Sequence, residues 1–339
     1  MPPPADSATT VLIFGTGRMA AIRADALRAV DPDIRLVFSS RSAAYGQAMA
    51  ERFGAVAYVP GGDGVPVDVD AAIVTSSTAH HPADTAEAVR LGVPTLCEKP
   101  LSLSVESARA MAEQAEGAGV NLHVAFHRRF DPAFAALRER VAAGELGTLY
   151  QLRTVSFDVA PSTPAFIAES GGIFRDLLVH DIESAIWTTG CDVVRVHATG
   201  TVRHWPDYAS AGDFDVATAL LWMSDGLVAT VHATRHSPLG QDVRTEVVGS
   251  RTSLSAGLGP RTPVRAVEDG SVFAGAGFGS FQSRWARAFE VETAAFLAGA
   301  RNGAAFAGAT AREALRVQAV AEACVESART GCSVDVSPT

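Results

Sequence analysis

Val11-Leu12-Ile13-Phe14-Gly15-Thr16-Gly17-Arg18-Met19-Ala20 is the stretch that decides how the rest of the chain is read. Its first four residues form a short continuous apolar run, the pattern of a parallel strand buried on both faces. Gly-x-Gly-x-x-Ala follows, and an Ala-rich helical segment continues to about Val30. At a strand-to-helix turn the first glycine permits the tight bend, and the second lets backbone N–H groups approach a pyrophosphate. The small third residue allows close helix–strand packing, and the helix N-terminus favours the anion. Gly15, Thr16, Gly17, Arg18 and Met19 are thereby marked as a dinucleotide site.

Working outward, the next strand over residues 35–38 runs into Ser39-Ser40-Arg41-Ser42. A fold specific for NAD usually carries Asp or Glu near this point to bind the ribose diol. No acid stands here. Ser40 and Ser42 can donate to a 2′-phosphate, and Arg41 can pair with it or stack on adenine, so the loop favours NADP, with NAD the alternative. The same serines can also cap the helix expected from about Ala43. Alternation then continues through a short strand at 56–58, a Gly/Pro loop at 60–66, a strand at 71–75, a helix from Pro82 to Leu91 closed by Gly92, and a strand at 93–97. That spacing predicts an α/β domain with a parallel, doubly wound sheet whose ligand sits at the carboxyl ends of the strands. His81 lies at one such end, as a helix-start or cofactor-lining residue. Glu98-Lys99-Pro100 lies at another. Lysine there presents a compact cation able to stabilise a developing charge on oxygen. Glu98 can orient it, and Pro100 fixes the turn.

Halfway along, Gly171-Gly172-Ile173-Phe174-Arg175-Asp176-Leu177-Leu178-Val179-His180 opens on a glycine pair and enters an apolar helical run, expected to span 176–188. Asp176 and His180 are four apart, on one face of an α-helix, and form a candidate proton-handling pair. The plain reading of the same spacing is a hydrogen bond that satisfies a half-buried histidine. Around this segment the C-terminal half reads as a helix at 133–143, strands at 150–159, 193–202, 214–223, 227–234 and 243–249, and helices at 283–300 and 310–330. A short strand is expected at 264–267 inside a Gly/Pro-rich loop, and another at 334–336. Ser224-Asp225-Gly226 is a hairpin signal. Short connections imply antiparallel neighbours, so this half is expected to be α+β, with an open, mostly antiparallel sheet covered by helices on one face. His232 and His236 are read as exposed-face residues outside the catalytic set. The domains are set at 1–125 and 126–339, with residues 1–10 a floppy leader.

Composition bounds what such a chain does. At 339 residues it is too long for one ordinary core. Its 28 Lys and Arg stand against 37 Asp and Glu, a formal charge of −9, without a dense basic block. Nucleic acid and anionic membrane surfaces are therefore excluded as partners. Four scattered cysteines lack metal or disulfide spacing, which suits a reducing cytoplasm and gives no metal site.

Taken together, Val11–Ala20, Cys97-Glu98-Lys99-Pro100 and Gly171–Asp181 resemble the glucose–fructose oxidoreductase/inositol dehydrogenase (Gfo/Idh/MocA) family, nearest to inositol 2-dehydrogenases. His127-Arg128-Arg129-Phe130-Asp131-Pro132 is similar to a segment they carry as Asn-Arg-Arg-Phe-Asp-Pro. Ser170-Gly171-Gly172-Ile173-Phe174-Arg175-Asp176 and Val243–Ser250 also resemble theirs. The resemblance implies a Rossmann domain followed by a substrate domain with an open sheet, NAD(P)-dependent interconversion of a secondary alcohol and ketone on a cyclic polyol or sugar, and a homodimer or homotetramer through that sheet. It implies Lys99, Asp176 and His180 as catalytic, and His127, Arg128 and Asp158 beside them in the polyol pocket. Glu98 joins the cofactor residues on the same basis. His127 stands where Asn is usual, Phe157 where Arg precedes the acid, and Ser40 where NAD users carry Asp. In this reading His180 is the general base, Lys99 steadies the reacting oxygen, and Asp176 holds the imidazole. Two other classes compete: a hydrolase that retains NAD and cleaves a glycoside by transient oxidation, and a non-enzymatic dinucleotide-binding sensor, which needs none of those three residues.

Overall fold

A computed structural model describes residues 8–60, 67–267, 276–303 and 306–337. The chain divides into two compact units, Met1–His127 with Arg287–Leu315, and Arg128–Ala286 with Arg316–Thr339. In the first, the apolar runs become the strands β1 (Thr10–Phe14), β2 (Arg35–Ser40), β3 (Ala57–Pro60), β4 (Ala71–Val74), β5 (Thr95–Cys97) and β6 (Leu122–Val124). Between them lie α1 (Arg18–Val30), α2 (Ala43–Phe53), α3 (His81–Leu91) and α4 (Val105–Gly117). These strands are parallel, in the order β3-β2-β1-β4-β5-β6. Chain order reverses at β1, between β2 and β4, and such a switch point opens a crevice at the carboxyl ends of the strands. Ala20, Ala24 and Leu27 recur at helical spacing on α1 and join Val11, Ile13, Leu36 and Ile73 in one buried core. Thr10 already pairs with Arg35, so the strand begins inside the span read as leader. Residues 1–7 and the loop residues 61–66 lie outside the described residues.

The second unit opens with α5 (Pro132–Ala142), β7 (Leu149–Phe157), α6 (Pro164–Glu169), a π-helical turn over Phe174–Leu178 and α7 (Val179–Thr189). It continues through β8 (Val193–Thr201), α8 (Pro206–Ser210), β9 (Val216–Met223), β10 (Val228–Thr234), β11 (Asp242–Gly249) and β12 (Ser253–Ala256). After these come α9 (Phe281–Asn302), β13 (Ala309–Thr310), α10 (Ala311–Thr330) and β14 (Val334–Asp335). The sheet runs β12-β11-β7-β10-β9-β8-β14. Gly226, at a φ of +92°, closes the β9–β10 hairpin. Antiparallel pairing holds throughout except between β7 and β10, which are parallel. Hairpin logic cannot supply that pair, because α7 and two further strands separate β7 from β10 in the chain and α7 packs across both.

Three expectations are corrected. The helix read over 176–188 starts as a π-turn and becomes α-helical only from Val179. No strand forms at 264–267; Val267 is 97% exposed, and four residues of alternation do not specify a partner. The segment read as belonging wholly to the second domain returns to the first unit over 287–315, where Phe296 and Leu297 enter the core and β13 pairs antiparallel with β6. Among the described residues no helix is long and apolar enough to cross a membrane. Phe296→Ala is expected to cost about 3–5 kcal/mol by chemical denaturation, as deletion of a buried aromatic does. A loss below about 1 kcal/mol would show that 287–315 is peripheral to this core.

Candidate functional site

At the switch point, Gly15, Thr16, Gly17, Ser40, Arg41 and Ser42 line one cleft of about 280 Å³ together with Thr75, Ser76 and Asp84. Gly15 has a φ of +101°, and a Cβ there would lie 2.8–2.9 Å from the Ser76 and Thr75 backbone. Only glycine allows β1 to exit that close to the end of β4. Gly17 occupies the N-cap of α1, and a Cβ added to it meets nothing within 4 Å. The first turn of α1 contains no acid, so its N–H groups and the helix dipole present a positive end. These features fit a dinucleotide pyrophosphate. Arg18 and Met19 form that turn, with Arg18 exposed.

The β2 exit is ordered from within. Ser42 N donates to Ser40 Oγ at 3.2 Å, Thr16 Oγ1 lies 3.4 Å from Ser40 Oγ, and the Tyr58 hydroxyl donates to the Ser40 carbonyl at 3.0 Å. Ser42 sits at the N-cap of α2 but its side chain caps nothing, contrary to the capping role open to it in sequence. It lines the cleft.

Glu98 and His81 do not line this cleft. Glu98 is buried and accepts from Arg23 Nε at 2.8 Å; Arg23 Nη1 donates to Glu292 at 2.6 Å. Arg23 is fully buried and lies 5.0 Å from the centre of the Phe289 ring. Burial alone would lower its pKa, but Glu292 and Glu98 outweigh that and hold it above the ordinary value. Glu98 thus holds the Lys99 turn by anchoring it to α1 through Arg23, a partner that its adjacency to Lys99 did not reveal. His81 braces the same turn: its Nδ1 is 3.0 Å from the Pro100 carbonyl and its Nε2 3.0 Å from that of Ser76. Burial pushes the His81 pKa down, against those two carbonyls. Lys99 is half-buried, and His127 is buried with its ring 4.8 Å from that of Phe289.

In the second unit, Arg128 is 3% exposed and donates to Asp181 at 2.9 Å and to Ser156 at 2.8 Å. Its guanidinium ties the start of the unit to β7 and α7. Arg129 does likewise with Glu183 at 2.6 Å, and Asp131 caps α5 while accepting from Arg284. Gly171 and Gly172 both have positive φ, +79° and +89°, and they deliver the chain into the π-turn. Asp176, inside that turn, accepts from Arg235 at 2.7 Å. His180 is buried in the first turn of α7. Asp158 accepts from Gln241 at 3.1 Å and lies 3.8 Å from Arg235. Sequence reasoning missed Arg23, Arg235 and Asp84. For Arg23 a signal existed, since it falls on the apolar stripe of α1.

Comparison with known proteins gives the same two parts. Residues 9–126 match the model of the oxidoreductase family with an NAD-binding Rossmann fold, and residues 134–255 match the GFO/IDH/MocA C-terminal domain. A myo-inositol dehydrogenase, Hyg17, of Streptomyces leeuwenhoekii is 38% identical over 97% of this chain and 100% of its own. The crystal structure of a myo-inositol dehydrogenase from Corynebacterium glutamicum superposes with a TM-score of 0.87 at 34% identity, over 98% of this chain and 100% of the other. A scyllo-inositol dehydrogenase from Lactobacillus casei, solved with bound NAD(H) and scyllo-inositol, gives 0.87 at 26% identity, covering 97% and 99%.

Gly15→Ala is expected to weaken nicotinamide dinucleotide binding at least about tenfold, roughly 1.4 kcal/mol, by calorimetric titration. An unchanged Kd in a folded variant would remove the cleft from the site.

Proposed function

The chain belongs to the Gfo/Idh/MocA family of oxidoreductases, and from that membership we propose that it interconverts a secondary alcohol and a ketone on a cyclic polyol of the inositol type, with NADP favoured over NAD. The observation that carries the cofactor half is the Gly15–Gly17 turn: a backbone contact that no Cβ would permit, beside open space and a bare helix N-terminus. The polyol half rests on the relatives and on the Glu98-Lys99-Pro100 and Asp176–His180 segments that the chain carries.

When bound, the nicotinamide supplies the hydride acceptor or donor. The chain's own residues do the rest. The α1 N-terminus and the Gly15–Gly17 backbone hold the pyrophosphate. Arg41, with the hydroxyls of Ser40 and Ser42, meets a 2′-phosphate through charge-assisted hydrogen bonds. Lys99 stabilises negative charge developing on the reacting oxygen, and His180 takes the hydroxyl proton in oxidation and returns it in reduction. Asp176 orients the imidazole, and Asp158 accepts from substrate hydroxyls. Arg128, committed to Asp181 and Ser156, shapes the pocket by fixing β7 against α7. We assign a homodimer or homotetramer contact to the outer face of the second sheet, where Val155, Leu220 and Trp222 stand half-buried on one side. Four free thiols, Cys97 and Cys324 among them fully buried, support a cytoplasmic setting.

Lys99→Ala and His180→Ala should each lower kcat on the best polyol by about a thousandfold, within the range of general acid–base and electrostatic contributions, and leave dinucleotide Kd within about twofold. Full turnover in either variant ends the assignment. In the same assays Arg41→Ala should raise KM for NADP roughly tenfold and leave that for NAD nearly unmoved. A parent enzyme faster with NAD than with NADP would contradict the reading of that loop.

A further inference from the structure

Arg235, at the exit of β10, has no role in the chemistry assigned above. Its side chain is 2% exposed and faces three carboxylates: Nη1 lies 2.7 Å from Asp176 Oδ2 and 3.8 Å from Asp158 Oδ2, and Nη2 lies 3.9 Å from Asp213 Oδ2. The Tyr208 ring centre is 6.0 Å from the guanidinium carbon. The backbone under the side chain is pinned as well. Arg235 N donates to the Asp215 carbonyl at 2.8 Å, and the Asp215 carboxylate accepts the N–H groups of Arg203, His204 and Trp205. Burial alone would lower the Arg235 pKa, but Asp176, Asp158 and Asp213 outweigh it, so the group is a fixed cation.

We propose that Arg235 is a positioning residue for the reaction, holding Asp176 in one orientation so that it can govern His180. This rests on the roles assigned above to Asp176 and His180. Asp213 extends the grip: its Oδ1 accepts from Ile173 N at 2.9 Å, at the entrance to the π-turn that carries Asp176. One arginine therefore bears on Asp176 directly and on the start of its turn through a second carboxylate. A π-turn widens the backbone spiral relative to an α-helix, so the i,i+4 spacing of Asp176 and His180 does not by itself fix how they meet, and an external clamp is needed.

The charge count gives the electrostatic consequence. One arginine against three aspartates is +1 − 3 = −2, and loss of the cation makes it −3. Around the Arg235 guanidinium stand Asp176 from the π-turn, Asp158 from the exit of β7, and Asp213 and Tyr208 from the segment between β8 and β9. Arg175 and His180 share its own segment, and Arg175 is held by both oxygens of Glu322. With Asp176 governing His180 as proposed, loss of Arg235 leaves more negative charge acting on the imidazole, which then keeps its proton to higher pH.

The test is the pH profile of kcat/KM for polyol oxidation in Arg235→Met, Arg235→Lys and Asp176→Asn. Arg235→Met should move the acidic limb up by about one pH unit and lower kcat on the order of a hundredfold. Arg235→Lys should keep the limb in place, because the charge remains, and lower kcat roughly tenfold, because the planar fork is lost. Profiles of both variants that superimpose on the parent's overturn the proposal. Should Arg235→Met fail to fold, Arg235→Lys decides alone: a lowered kcat on an unmoved limb supports positioning, and an unchanged kcat overturns it. Full turnover in Asp176→Asn would instead remove the underlying site reading, whereas an inactive Asp176→Asn beside a normal Arg235→Met removes only the positioning role.

Discussion

The first unit is built around a cation where an apolar side chain would be expected. Arg23 falls between Ala20 and Ala24 on the inward stripe of α1, with no exposed surface, and is held by Glu98 and Glu292. Desolvating these groups is costly, and such clusters seldom add net stability over a well-packed apolar one. What they add is a unique arrangement, because any repacking that separates the charges strands them in a low-dielectric interior. The arrangement fixed here joins three things: the helix whose N-terminus faces the dinucleotide cleft, the turn that bears Lys99, and α9. His81 ties that turn a second time, through Pro100, to the Ser76 carbonyl at the β4 exit. The role proposed for Lys99 calls for such a base, since electrostatic stabilisation depends on donors already in place.

The second unit solves the same problem with the same chemistry. A buried arginine lies against the acid of the Asp176–His180 segment, and the flanking backbone is stitched by carboxylates rather than by regular secondary structure alone. The glycine pair makes this possible. Gly171 and Gly172 both occupy the left-handed region, and a Cβ on Gly172 would come within 3.1 Å of Asp213 Oδ1, the oxygen that receives the Ile173 amide. A side chain there would push away the group that sets the start of the π-turn.

What sequence revealed and what it concealed divide by range. β1, the glycine turn and α1 are local patterns, and they appear where the apolar run and the Gly-x-Gly-x-x-Ala spacing put them. Hairpin β9–β10 is local too. Arg23 with Glu292 is not: 269 residues separate them, and helical periodicity can say that Arg23 points inward without saying what meets it. The return of 287–315 to the first unit is concealed for the same reason, because α9 has the amphipathic pattern of a helix that could cover either sheet. Asp176 and His180 were read at α-helical spacing, yet the π-turn between Phe174 and Leu178 alters that spacing where it matters. Arg235 ends an alternating strand, where an arginine ordinarily reaches solvent, and here it is buried against three carboxylates, two from loops and one from the π-turn.

The β2 exit, to which the proposed cofactor choice is assigned, is held in the same way. Its conformation is held by hydrogen bonds within the chain. Tyr58 holds the Ser40 carbonyl, Ser40 Oγ holds the Ser42 amide, and the Tyr58 ring lies so close to α2 that a Cβ at Gly46 would approach it to 2.0 Å. The hydroxyl of Ser40 is therefore partly spent on the loop itself, while Arg41 is exposed at the cleft edge and Asp84 contributes a carboxylate from α3. An internally bonded loop with an exposed arginine at its rim suits the phosphate recognition proposed above, with the serines bounding where such a phosphate could lie. The absence of an acid after β2 thus matters less for what it fails to bind than for what it leaves room to bind: Ser39-Ser40-Arg41-Ser42 carries no negative charge to repel a dianion, and among the described residues lining the cleft the carboxylate is that of Asp84, on α3.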